Sequence, residues 1–338
     1  MAVRLICDLK AAVFVLILCL LAISCTSSSR DQKVPCVNVS ASKDVVLPLS
    51  GHKVISRLFI SEDNKLIVVT QQEPFVSVID VEKEEMLVSF GRLGRANNEL
   101  RSIPQGVNYR KGKLQYYDSS IRSLVSISVP EGVIETLPIP VTSSLRPMRV
   151  IEMDKTLVVT GGLANGRVVC INPSQEVAQV AEYPFDTSPL SGINRGSTLQ
   201  CDLVCPPDLP KFLIRTIASD CFELYENTGD EFARFFVNEF NNPPVIERIR
   251  VDYSKSCAGY IRSFSDNTHI YLMYSEESYR DSSSQGLTSD VIHVYDWEGH
   301  FVQKISLPEK IGAFCINDTH LFGVVDYLDH SEIIRYKL

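Results

Sequence analysis

The feature that most constrains this chain is a phrase of short strands that returns about every fifty residues between Leu66 and Leu338. Its first statement reads Lys65-Leu-Ile-Val-Val-Thr70, then Phe75-Val-Ser-Val-Ile-Asp80, then Glu85-Met-Leu-Val-Ser-Phe90. Each run is short, rich in β-branched residues and bounded by polar turn residues, which is the pattern of a strand. A sheet of three or four such strands cannot hide both of its faces alone. Copies of it must stack and share a core.

The phrase recurs as Lys113 to Asp118, Ser123 to Ser128 and Val133 to Leu137, and again as Thr156 to Thr160, Arg167 to Asn172 and Val177 to Ala181. A fourth unit runs Phe212 to Ile217, Cys221 to Tyr225 and Glu231 to Val237. The fifth holds Ile270 to Tyr274, Val291 to Tyr295 and Phe301 to Ser306, and the sixth Leu321 to Val325 and Ile333 to Tyr336. Most units have a further strand upstream, such as Ile55-Ser-Arg-Leu-Phe-Ile60, Met148-Arg-Val-Ile-Glu-Met153 and Tyr260-Ile-Arg-Ser-Phe264. Five units thus offer four strands each, and the sixth lacks its outermost one. The orphan run Val45-Val-Leu-Pro-Leu49 precedes the first unit, and Pro48 suits it to an edge position. Pairing it with the sixth unit closes a ring and removes an open edge. The pattern predicts an all-β fold over residues 44–338: a six-bladed β-propeller of four-stranded antiparallel blades, closed by an N-terminal strand.

The first residues differ in kind. Arg4 and Lys10 flank an almost wholly apolar run from Ala11 to Ser24. It is shorter than the roughly 20 residues a membrane-spanning helix needs, and fits a signal-peptide core. It ends in Leu21-Ala-Ile-Ser-Cys25, followed by Thr26-Ser-Ser-Ser-Arg30. This resembles a bacterial lipobox, in which Cys25 takes a diacylglycerol group and becomes the mature N-terminus. Residues 1–24 are then the lipoprotein signal peptide and residues 25–43 the lipidated N-terminus and tether. The partner implied is the membrane, reached through a lipid anchor, and the location the cell envelope.

Composition narrows the rest. A net charge of -8 and a pI near 5.4 disfavour nucleic acid, which needs a basic footprint. Cys36, Cys170, Cys201, Cys205, Cys221, Cys257 and Cys315 follow the leader. Several sit in apolar runs, where a thiol acts as a small buried hydrophobe. A disulfide within Cys201, Cys205, Cys221 and Cys257 stays open. No second pair accompanies Cys201 and Cys205 at zinc-like spacing, so neither a metal nor another cofactor is expected.

The phrase Ser89-Phe-Gly-Arg-Leu-Gly-Arg-Ala-Asn-Asn-Glu-Leu100, with the blade count and the lipobox, resembles the TolB-like six-bladed β-propeller lipoproteins of the Bacteroides type. Gly91, Gly94, Glu99 and Pro104 keep that family's frame between blades. Ala96, Asn97 and Asn98 stand where the family has Gly-Pro-Gly, and Leu100 stands for an aromatic residue. The resemblance implies a scaffold and names no ligand.

Three stretches break the rhythm: Pro184 to Pro210, Asn238 to Lys255, and Glu276 to Ser289. Long loops on a rigid scaffold are where binding resides. Sharing one mouth of the ring, the first and third would form a composite surface. Arg195, Tyr279 and Arg280 would then be its contact residues, since arginine and aromatic side chains give rigid, amphipathic contact area. The expected function is noncatalytic binding of a protein or glycan. Two other classes compete. One is a calcium-dependent hydrolase or lactonase with an axial site, for which Asp118, Asp252 and Asp326 are the candidate carboxylates. The other is a scaffold subunit of an envelope complex, touching its partners through the blade edges. No Gly-x-Ser-x-Gly elbow is present, and the histidines lack metal spacing.

Overall fold

The computed structural model describes residues 36–39, 44–49, 54–172, 177–228, 232–327 and 330–338. The expected leader over residues 1–24, Cys25 and residues 26–35 lie outside the described residues.

Six small antiparallel sheets follow one another along the chain. The first blade is β3 (Ile55–Ile60), β4 (Lys65–Thr70), β5 (Val76–Asp80) and β6 (Glu85–Phe90). The second is β7 (Asn108–Arg110), β8 (Lys113–Asp118), β9 (Ser123–Ser128) and β10 (Ile134–Pro138). The third is β11 (Leu145–Met153), β12 (Thr156–Leu163), β13 (Val168–Ile171) and β14 (Val177–Val180). The fourth is β15 (Cys201–Val204), β16 (Lys211–Thr216), β17 (Phe222–Asn227) and β18 (Phe232–Val237). The fifth is β21 (Cys257–Ser265), β22 (His269–Ser278), β23 (Ser289–Asp296) and β24 (Phe301–Ile311). The sixth takes β25 (Phe314–Ile316), β26 (His320–Asp326) and β27 (Ser331–Lys337) from the C-terminus and β2 (Asp44–Leu49) from the N-terminus. The protein is a six-bladed β-propeller.

Its burial pattern explains why the middle strands read as unbroken apolar runs. Each blade lies between two others, so both faces of its central strands are covered. Leu66, Ile67, Val68 and Val69 of β4 are all fully buried, whereas β6 at the rim is mostly exposed. The hydrophobic clusters span the joints between blades. Ile67, Val69 and Val76 pack with Leu114, Tyr116 and Val125 between the first and second blades. Val158, Val168 and Cys170 pack with Phe212, Ile214 and Tyr225 between the third and fourth. One cluster joins Ile292 and Ile305, Cys315 and Phe322, and Leu58 and Ile79, so the last blades meet the first and the ring closes.

The N-terminal strand does what Pro48 and the missing outer strand imply. β2 pairs antiparallel with β27, from Asp44 opposite Arg335 to Leu49 opposite Ser331. A further strand was not expected: β1 (Cys36–Asn38) adds in parallel to the rim of the fifth blade, with Cys36 opposite Lys304 and Asn38 opposite Ser306. It covers an edge that β24 would otherwise present to solvent. The inner strands β7 and β15 are short, and β15 lies inside an irregular stretch. No disulfide joins Cys201, Cys205, Cys221 or Cys257. Cys201, Cys205 and Cys221 are buried, and burial pushes the Cys205 thiol up to about 11 and the Cys221 thiol up to about 12.

Candidate functional site: the loop mouth and the axial arginines

Strand direction decides which loops share a face. In every blade the inner strand starts at one mouth of the ring and the second strand returns to it. Loops that enter an inner strand, and loops between the second and third strands, therefore lie at that same mouth. Residues 184–200, which enter β15, the second stretch, which enters β21, and the third, between β22 and β23, are of these two kinds, whereas residues 205–210 join β15 to β16 at the opposite mouth. The first forms α1 (Gly192–Thr198), the second a small hairpin of β19 (Ile246–Glu247) and β20 (Arg250–Val251), and the third α2 (Tyr279–Ser284).

These segments are packed together. Leu190, Leu199, Ala218 and Val251 form a cluster of their own, with Tyr183, Phe185, Ile217, Ile246 and Tyr279 against it. α1 lies so close to β12 that a Cβ on Gly196 would sit 1.7 Å from the Gly161 carbonyl oxygen, so only glycine fits there. α2 is capped by Ser278, whose Oγ accepts from the Asp281 N–H at 3.1 Å. The N–H of Tyr279 donates to the Ser256 carbonyl at 2.8 Å and that of Arg280 to the Tyr253 carbonyl at 2.9 Å, tying α2 to the second stretch.

A cleft of about 730 Å³ opens where the three meet. Its walls include Ser197 and Thr198 from α1, Arg248, Arg250 and Tyr253 from the second stretch, and Tyr279, Arg280 and Ser283 from the third. The rings of Tyr253 and Tyr279 lie 4.9 Å apart between centroids. Lys255 holds Glu247 and, at 3.6 Å, Asp252. Among the described residues Arg248, Arg250 and Arg280 form no ion pair, and all three are exposed. Of the expected contact residues, Tyr279 and Arg280 thus line one cleft. Arg195 does not. It stays on α1, 5.9 Å over the Tyr183 ring and 3.9 Å from Glu182.

Below the mouth, the axis of the ring carries a group that the sequence reading did not pick out. Arg57 from β3, Arg149 from β11 and Arg262 from β21 surround Asp202 of β15, with Arg215 from β16 behind it. Arg57 pairs with Asp202, Arg215 Nη2 lies 3.2 Å from its carboxylate and Arg149 Nε 4.0 Å. The Ser263 hydroxyl donates to the same carboxylate at 3.4 Å. Arg262 is anchored by backbone instead, its Nε donating to the Gly312 carbonyl at 2.9 Å. Burial alone would raise the Asp202 pKa, but Arg57, Arg215 and Arg149 hold the carboxyl well below the usual range. Arg262 shows the reverse. Burial, then repulsion from Arg57 and Arg215, lowers Arg262 to about 10, which leaves it charged at neutral pH.

Asp118, Asp252 and Asp326 do not meet on the axis. Asp118 accepts from Ser120 at 2.6 and 2.8 Å, Asp252 from Ser254 at 2.6 and 3.0 Å, and Asp326 from Ser331 at 2.6 Å. Each closes a turn beside its own strand. Among the described residues no three His, Cys, Asp or Glu side chains converge as metal ligands would.

No protein-family model matches this chain, and no curated protein matches it in sequence. Solved structures match it in fold. A Bacteroides fragilis protein named "putative exported protein" superposes with a TM-score of 0.54 at 9% identity, over 90% of this chain and 98% of that one. A catalytically inactive variant of virginiamycin B lyase from Staphylococcus aureus, with quinupristin, superposes with a TM-score of 0.44 at 8% identity, over 86% of this chain and 87% of that one. At such identities the likeness concerns fold alone.

Proposed function

We propose that this chain is a TolB-like envelope lipoprotein, anchored through Cys25, that binds a protein or glycan without catalysis in the cleft at its loop mouth. The observation that carries the reading is the convergence of the three irregular stretches on one cleft. Blade-core residues are committed to packing, and there the chain departs from its repeat. The tyrosine pair, its rings tilted by 35°, offers aromatic contact area, and Arg248, Arg250 and Arg280 offer donors that no described carboxylate engages. The lipobox and a fold neighbour named as exported support the location.

The enzymatic reading is weaker because its three carboxylates are apart and locally used. A scaffold role is weaker too. Exposed apolar side chains on the outer strands are divided among blades, with Met86 and Leu87 on the first, Leu137 on the second and Phe235 on the fourth. A single rim patch would serve that role better.

The cleft is tested with a printed array of oligosaccharides and peptides probed with the whole propeller. Tyr253→Ala and Arg280→Ala are each expected to weaken every specific signal about tenfold or more, since aromatic and arginine anchors carry at least about 2 kcal/mol at binding centres. Signals that both variants leave intact would place binding elsewhere. The anchor is tested separately. Cys25→Ser should remove the acyl mass and release the protein from membranes, and unchanged membrane fractionation would contradict it.

A further inference from the structure

We propose that the axial arginines form a binding site for an oxyanion, a carboxylate or phosphate group that enters from the loop mouth and supplies the negative charge the cluster lacks. The inference stands on the channel alone and does not require the cleft beside it to bind a partner.

The imbalance is the first ground. Four guanidinium groups, from Arg57, Arg149, Arg215 and Arg262, share the single carboxylate of Asp202. Like charges held together away from water are unfavourable unless paired, so the arrangement is poised for a counter-charge. Two donors are unused as well: the Nε atoms of Arg149 and Arg215 are buried without a hydrogen-bond partner.

The second ground is that the guanidinium groups are held in place. Arg149 Nη1 donates to the Met148 carbonyl at 3.0 Å, and Arg262 Nη1 to the Ile261 carbonyl at 3.2 Å. Arg215 Nη1 donates to the Tyr260 carbonyl. Gly106, at a φ of +60°, gives Arg149 its room, since a Cβ there would lie 2.3 Å from Arg149 Nε. Planar forks fixed in this way suit the paired oxygens of carboxylate and phosphate better than flexible lysines would.

Access is the third. The Arg57 and Arg149 side chains keep 16% and 21% of their surface exposed. On the side of Arg57 away from the mouth, a cavity of about 20 Å³ is lined by Arg57 itself with Phe59, Tyr109 and Phe264. That volume holds about one water. That is too small for a phosphate or carboxylate group, so the proposed route of entry is the loop mouth.

The test is a thermal-shift titration of the whole propeller at constant ionic strength, with sodium chloride exchanged for inorganic phosphate or for galacturonate. The expected result is a saturable rise in melting temperature at millimolar concentration for at least one of the two, which also tells phosphate from carboxylate. Arg262→Met and Arg57→Gln should each weaken that response at least tenfold. Lys111→Ala removes a positive charge near the opposite mouth, where Lys111 pairs with Asp154 at 3.2 Å, and should leave the response as in the parent. The absence of a saturable rise with either anion would overturn the proposal. So would a rise that both axial variants retain, since general salt exclusion would then explain it.

Discussion

A chain lacking residues 44–50 is expected to melt on the order of 10 °C below the parent and to aggregate on heating. β2 forms the outer strand of the sixth blade, with Val45 opposite Ile334, Leu47 opposite Ile333 and Pro48 opposite Glu332. At about 1 kcal/mol net for each hydrogen bond, the ladder alone contributes roughly 3–5 kcal/mol. That is a large share of the about 5–15 kcal/mol by which folded domains are stable. Without β2, β27 becomes a bare edge beside the fully buried Ile333, Ile334 and Tyr336. Such an edge is a template for pairing with another chain. Differential scanning fluorimetry and light scattering on the truncated chain check this. An unchanged melting temperature would mean that the N-terminal strand does not hold the ring closed.

This closure was legible because a repeat is its own ruler. Once five units carry four strands and the sixth carries three, a lone strand with Pro48 has one obvious place to go. The common mouth of the irregular stretches could also be anticipated, since strand alternation fixes which loops share a face. Tyr279 and Arg280 were therefore within reach, as α2 is the loop between second and third strands of its blade. Arg195 was not distinguishable from them by sequence. Its guanidinium turns back onto Tyr183, and only packing decides that.

The axial arginines do leave a mark in the sequence. The inner strands read Ile55-Ser-Arg-Leu, Met148-Arg-Val-Ile and Tyr260-Ile-Arg-Ser, each with one arginine amid apolar neighbours. A charge recurring on the strand nearest the axis is the signal. It was obscured because Asp202 lies on β15, inside a stretch that reads as loop, and Arg215 is on a second strand. The candidate carboxylates Asp118, Asp252 and Asp326 sit beside turns, where aspartate accepts from nearby backbone and hydroxyl donors.

The second large effect is expected at Asp202. Its side chain is 6% exposed, as is that of Arg215, and Arg57 pairs with it too. Asp202→Asn leaves four guanidinium groups without a carboxylate, and breaking a buried pair in this way costs about 3–5 kcal/mol. The dependence on pH follows from the lowered pKa. A carboxyl held below its unfolded value of about 3.9 contributes its full stability above that pH. The contribution fades as the pH falls below it, towards the folded value. The gap in melting temperature between the parent and Asp202→Asn should therefore be wide at pH 7 and narrower at pH 3.

The measurement that bears most directly on an axis carrying more positive charge than its own residues neutralise is a comparison of two opposite deletions of charge. Asp202→Asn and Arg262→Met are melted beside the parent at pH 7 in low salt without added phosphate or carboxylate. Removing the carboxylate should lower the melting temperature by on the order of 10 °C. Removing one of the four arginines should leave it within about 2–4 °C of the parent or raise it, because relief of repulsion offsets the lost bond to Gly312. If Arg262→Met falls as far as Asp202→Asn, the arginines are mutually satisfied parts of the fold, and the axis holds no vacancy for an anion.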